Sequence, residues 1–169
     1  MQAIKRVLLT LLRVYVGYLW LQAGLHKMTN PAWFGEGAGT AISGFFQGVL
    51  AKAAGENPVV QGWYASFIER VAMPNATLFS YLVVLGEVLV GVALIVGVFT
   101  TFAALMGAFM NLNFMLAGTL SSNPWMLALQ AIIVWAGVSA GYYGLDYFVR
   151  PWLRATWQRL TARGAAQAA

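Results

Sequence analysis

The feature that most constrains this chain is a stretch without any charged side chain, which runs from residue 88 to residue 145. One straight helix of that length would measure about 87 Å, whereas the hydrocarbon core of a bilayer is about 30 Å thick. The stretch must therefore fold back on itself. Two turn signals divide it: a glycine-led turn at residues 97–101 and the polar loop GTLSSNP at residues 118–124. Pro124 suits the first turn of the helix that follows.

The composition excludes several classes of protein. Only 9% of the residues are charged, whereas a soluble domain needs about 25% to cover its surface. The net charge of +5 comes from bases near the two ends of an apolar chain, a pattern typical of membrane topology rather than of nucleic-acid binding. The chain has no cysteine and one histidine, which argues against disulfides, thiolate clusters, and a metal or haem site within it.

These observations predict four membrane-spanning helices. Lys5 and Arg6 precede the first span, and four arginines follow the last one, so the positive-inside rule predicts that both termini lie in the cytoplasm of a prokaryotic inner membrane. The four spans are predicted at residues 7–25, 78–97, 102–118 and 124–145. They form a membrane domain over residues 1–148, and the basic tail at residues 149–169 is expected to lie along the inner leaflet.

The long segment between the first two spans, residues 26–77, is predicted to be folded. It contains far too many aromatic residues for a solvated linker. Two short amphipathic segments, at residues 40–53 and 59–72, are separated by GENP. The predicted fold is therefore an all-α integral membrane protein: a four-transmembrane-helix bundle with an extracytoplasmic helical cap between helices 1 and 2.

Arg13 and Glu87 are the most informative charges, because each interrupts an otherwise apolar span. An unpaired charge there costs at least about 2.5–3.5 kcal/mol. Their estimated depths differ by only a few ångströms, so the sequence suggests an ion pair between them. The pair either fixes the register of the two helices or forms a polar catalytic centre that binds or protonates a ligand head group; both interpretations stay open.

Other polar residues in or beside the spans are candidates for binding a substrate or quinone. Asn111 and Gln130 lie on stripes that face the bundle, where they can bind a ligand or form an interhelical hydrogen bond. At the outer end of the first span, His26 and Lys27 precede Trp33; they either anchor the helix at the interface or border a cavity. Asp146 and Arg150 are spaced for a local ion pair.

Three pieces of the sequence carry a resemblance to a known family. They are LLRVYVGYLWLQAGLHKMTNPAW, LGEVLVGVALIVGVFTTFAAL and GYYGLDYF, which occur in this order across residues 8–148. The chain resembles the DoxX/DoxD family, in particular the DoxD-like membrane subunit of thiosulfate:quinone oxidoreductase. By residue matching, Arg13, Lys27, Glu87 and Asp146 align with the family motifs. Relatives often carry a basic residue in the turn after the second span, where this chain has threonines.

The resemblance implies a subunit that acts with a protein partner or as a homo-oligomer and passes electrons from thiosulfate, which becomes tetrathionate, to quinone. In this hypothesis Glu87 handles protons, Arg13 stabilises the charge of the reduced quinone, and an anionic donor approaches His26, Lys27 and Arg70 from outside. Quinone is then an acceptor that is not covalently bound. The alternative is a non-catalytic membrane scaffold that recruits a redox or detoxification enzyme.

Overall fold

Helices account for nearly all of the regular structure. The computed structural model describes residues 1–54, 56–153, 155 and 158. The helices are α1 (Gln2–Met28), α2 (Thr40–Ala53), α3 (Gly62–Phe67), α4 (Ala76–Val96), α5 (Thr100–Leu116) and α6 (Asn123–Ala136). A π-helical turn over Ile68–Ala72 continues α3, and a 3₁₀ turn over Gly137–Ser139 follows α6. The described residues contain no β-strand, so the all-α prediction is confirmed for them.

Two helices of the described chain are long and apolar enough to cross a membrane, namely α1 with 27 residues and α4 with 21. Helices α5 and α6 are apolar but shorter, with 17 and 14 residues. The fourth predicted helix is wrong in extent, because α6 ends at Ala136 instead of continuing to residue 145. Gly137 adopts φ 53° and ψ −119°, a backbone conformation that breaks the helix and that glycine tolerates. Four complete spans remain a prediction.

Small residues set the close packing of α1 against α4. A Cβ atom built on Gly91 would lie 2.7 Å from the Cα of Leu21, and one on Gly17 would lie 2.9 Å from the carbonyl oxygen of Gly91. Any larger side chain would push the two backbones apart. Glycines therefore mark the contact between these two helices. Around it lies the first hydrophobic core, formed by Leu9, Val16, Trp20, Val90, Leu94, Ala103, Ala104, Met126, Ile133 and Ala140.

The segment between α1 and α4 forms a second hydrophobic core, as its aromatic content predicts. The amphipathic segment at residues 40–53 coincides with α2, and the segment at 59–72 contains α3 and the π-helical turn. Phe79 of α4 packs against this layer, with ring centroids 6.2 Å from Phe46 and 6.1 Å from Phe67. The buried residues of this core are Ile42, Phe46, Val49, Val60, Tyr64, Ile68, Ala72 and Ala117.

The prediction for the tail at residues 149–169 falls largely outside the described residues. A further helical segment begins at Asp146 and continues through Leu153. Arg150 lies 3.5 Å from the Asp146 carboxylate, so the predicted local ion pair is confirmed.

Candidate functional site

The ion pair predicted between Arg13 and Glu87 is wrong, because α1 and α4 pack in a different register from the one assumed. Gly17 lies against Ile95, and Gly24 lies against Glu87. Arg13 is consequently level with the last turn of α4, about ten residues or ~15 Å along the helix from Glu87. The predicted depths of Arg13 and Glu87 assumed that the first turn of α1 is level with the last turn of α4. In the structure α1 extends well past the end of α4.

Arg13 instead stabilises the end of α4. Its guanidinium donates hydrogen bonds to the carbonyl oxygens of Leu94 at 2.6 Å, Ile95 at 3.3 Å and Tyr143 at 3.1 Å. The first two carbonyls belong to the last turn of α4 and have no partner within that helix. A cation there also complements the helix dipole. The two terminal nitrogens of Arg13 thus donate to backbone carbonyls, whereas its Nε has no hydrogen-bond partner among the described residues.

Asp146 plays the opposite role at the start of α5. Its carboxylate accepts hydrogen bonds from the backbone N–H of Phe99 at 2.8 Å and of Thr100 at 2.9 Å. These are first-turn groups of α5, where a negative charge is favourable. Arg13 and Asp146 therefore hold the turn between α4 and α5 from its two sides. Both residues align with the family motifs quoted in the sequence analysis. Together they form a structural clamp on this turn.

Glu87 pairs with Lys27. The ammonium nitrogen Nζ lies 2.9 Å from Oε1 and 2.8 Å from Oε2 of the carboxylate. The Glu87 side chain is 2% exposed and that of Lys27 is 22% exposed. A buried carboxylate is tolerable only when paired in this way. Because the two charges cancel, the pair presents a polar but nearly neutral surface to its neighbours.

Lys27 also shares a pocket with two other predicted binding residues. His26, Lys27 and Trp33 line one open pocket of about 460 Å³, together with Leu19, Gln22 and Ala23. The Lys27 ammonium lies 5.5 Å from the centroid of the Trp33 ring, within the range of a cation–π contact. The pocket therefore combines an aromatic wall, an imidazole, an amide and the ammonium group that pairs with Glu87. Arg70, also expected to face an anionic donor, does not line it.

Asn111 and Gln130 lie elsewhere, between α5 and α6. The Asn111 amide donates to Oε1 of Gln130 at 2.7 Å, and both side chains are fully buried. This interhelical hydrogen bond is one of the two roles predicted for them. They do not line the pocket. Gly107 of α5 lies directly beside them. A Cβ atom there would collide with Gln130 Nε2 and lie 2.9 Å from Nε1 of Trp20, so no side chain fits between α5 and these two residues.

Sequence reasoning missed Gln22, Leu19 and Ala23 as pocket residues. Gln22 precedes His26 by four positions, so the two share one face of α1; that spacing was a signal that could have found it. Leu19 and Ala23 carry no signal of their own. Among the described residues no group of His, Cys, Asp and Glu is arranged to hold a metal ion.

A family model decides the family. The model described as "TQO small subunit DoxD" matches residues 8–161, which is most of the chain. The chain belongs to the DoxD family. No curated protein and no solved structure matches it significantly. Membership in the DoxD family and the two long apolar helices support a membrane location for this DoxD protein.

Proposed function

We propose that this DoxD protein is the membrane subunit that supplies the quinone side of a thiosulfate:quinone oxidoreductase. In the overall reaction a pair of thiosulfate ions loses two electrons and joins through a new sulfur–sulfur bond as tetrathionate. Quinone takes up those electrons with a pair of protons and becomes quinol. The observation that carries the proposal is the Lys27–Glu87 pair beside the pocket that also holds His26 and Trp33.

The electrostatics of the pocket favour an uncharged ring over a doubly charged anion. Lys27 is committed to both oxygens of Glu87, so its charge is not available to attract thiosulfate from solution. The Trp33 face is suited to stacking on a planar ring, and the Gln22 amide and Lys27 ammonium are donors for a carbonyl oxygen. We therefore assign the oxidation of thiosulfate to a partner subunit or another surface, in contrast to the role expected for Lys27 from the sequence.

The proposed proton supply uses the ionisable residues at and beside the pocket. Glu87 is buried, Lys27 bridges it to the pocket, and His26 is exposed at the rim. A path from water through His26 to the Lys27–Glu87 pair would deliver protons where quinone is reduced.

The first test asks whether the purified full-length chain retains quinone. Extracts of wild-type protein and of Trp33→Leu and Gln22→Ala variants are analysed for bound quinone, with Arg70→Gln as a control outside the pocket. The proposal expects quinone in the wild type and the control, and clear loss in both pocket variants. Equal retention in all four proteins would exclude this pocket as the quinone site.

The second test measures thiosulfate-dependent quinone reduction by the complete complex. Glu87→Gln should lower kcat without changing the thiosulfate concentration that gives half the maximal rate. Lys27→Gln should raise the half-saturating concentration of quinone rather than that of thiosulfate. If correctly inserted variants keep wild-type kinetics for both substrates, the subunit is a scaffold and its pocket takes no part in the reaction.

A further inference from the structure

A second groove lies at the opposite end of the described chain from the Lys27 pocket. It has a volume of about 520 Å³ and a mostly aromatic lining, formed by Val96, Tyr142, Tyr143, Gly144, Leu145, Tyr147 and Phe148. The Tyr142 ring contacts those of Tyr143 and Tyr147 edge to face, with centroids 5.1 and 5.6 Å apart. Tyr147 and Phe148 are more than half exposed. The rings thus form a fixed, accessible apolar wall.

Two basic side chains of α1 rest on aromatic rings at this end. The guanidinium carbon of Arg6 lies 3.7 Å from the ring centroid of Tyr142, and Lys5 Nζ lies 5.6 Å from that of Trp135. Stacking uses the flat face of a guanidinium and leaves its N–H edge available. Among the described residues no acceptor takes a hydrogen bond from either side chain, so both can donate to a ligand.

Acidic residues do not neutralise this surface. The chain has five acidic residues. Glu36, Glu56 and Glu69 lie between α1 and α4, Glu87 pairs with Lys27, and Asp146 is 2% exposed with its carboxylate bound to the start of α5. Arg150 pairs with Asp146, whereas Lys5 and Arg6 have no acidic partner among the described residues, so the end of the molecule that carries them has uncompensated positive charge at its surface.

We propose that the aromatic groove is a binding site for one anionic phospholipid. Arg6, which stacks on the groove residue Tyr142, binds the phosphate, since a guanidinium edge matches phosphate oxygens with paired hydrogen bonds. The adjacent Lys5, over Trp135, adds positive charge to this end. An acyl chain lies against Tyr147 and Phe148. Val96 of α4, which lines the groove, is itself exposed, as expected of a surface that meets lipid. A basic group next to an apolar wall complements an anionic amphiphile.

Native mass spectrometry of the full-length chain in detergent tests this assignment. Phosphatidylglycerol and phosphatidylcholine with identical acyl chains are titrated against the protein, and the bound fraction is measured. One basic contact near a membrane surface changes anionic-lipid affinity about fivefold. Wild type should therefore prefer phosphatidylglycerol, and Arg6→Gln should weaken phosphatidylglycerol binding about fivefold with little change for phosphatidylcholine. Phe148→Ser should weaken both lipids together.

Arg70→Gln is the matched control, because it removes the same charge from an exposed arginine in the segment between α1 and α4, which does not line the groove. It should leave the lipid preference unchanged. Equal loss in Arg70→Gln and Arg6→Gln would show a general charge effect and overturn the site. Equal binding of the two lipids by wild type would overturn it as well, as would blockage of the groove by a second copy of the chain.

Discussion

The unequal burial of Lys27 and Glu87 predicts that the two halves of their ion pair differ in their importance for stability. Lys27→Met would leave a carboxylate that is 2% exposed without a partner. Breaking a buried pair in this way costs about 3–5 kcal/mol. Glu87→Gln would leave an ammonium that is 22% exposed and that can extend toward water. The glutamine carbonyl still accepts a hydrogen bond from it, so the expected cost is about 1 kcal/mol.

Thermal unfolding of the purified variants in detergent, followed by tryptophan fluorescence, measures this difference. For a chain of this size, 1 kcal/mol corresponds to roughly 2–4 °C in Tm. Lys27→Met should therefore lower Tm by about 10 °C or more, and Glu87→Gln by only a few degrees. The double variant, which strands no charge, should recover most of the loss.

Two outcomes would refute this reasoning. Equal losses in the two single variants would mean that the burial of Glu87 does not control the cost. Additive losses in the double variant would mean that Lys27 and Glu87 are not coupled, and the ion pair would then be unimportant for stability.

Three further predictions concern other parts of the fold. Gly107→Ala should lower Tm by several degrees because its Cβ would collide with Gln130 Nε2, whereas Gly48→Ala, which meets nothing within 4 Å, should be neutral or stabilising. Burial raises the pKa of the Tyr64 phenol, so its contribution to stability is complete below about pH 10 and is lost as pH rises further; Tyr64→Phe should show a smaller loss of Tm between pH 9 and pH 11. Topology reporters should place the C-terminus in the cytoplasm and the loop between α2 and α3 outside; opposite results would exclude an arrangement with both termini inside.

The sequence predicted the positions of the helices and the residues near the pocket better than it predicted which side chains pair with each other. Hydropathy and aromatic content located α1, α4 and the layer between them, because these signals are local. The choice between Arg13 and Lys27 as the partner of Glu87 depends on how far α1 slides along α4. That offset is set by glycine contacts between distant segments, which a single sequence does not reveal. A one-residue feature, the φ of Gly137, also decided where α6 ends.

The role of Asp146 was equally hard to anticipate. Its spacing from Arg150 indicated a local pair, which the structure confirms. The stronger interactions, however, are with the backbone of Phe99 and Thr100, more than forty positions earlier in the chain. Backbone groups have no signature in the sequence, so a carboxylate that caps a remote helix looks like any other charge near the end of a span.

The clamp on the α4–α5 turn has a consequence for biogenesis. Asp146 follows Arg13 by more than 130 positions in the chain, yet both must be in place before the turn is satisfied. A nascent chain therefore inserts its apolar hairpin with the helix ends still open, and closure waits for the segment around Tyr143 and Asp146 to arrive. Premature termination just before that segment should yield an inserted but unlocked intermediate, which membrane proteases would remove. Synthesis of the segment around Asp146 then acts as the checkpoint for closing the turn.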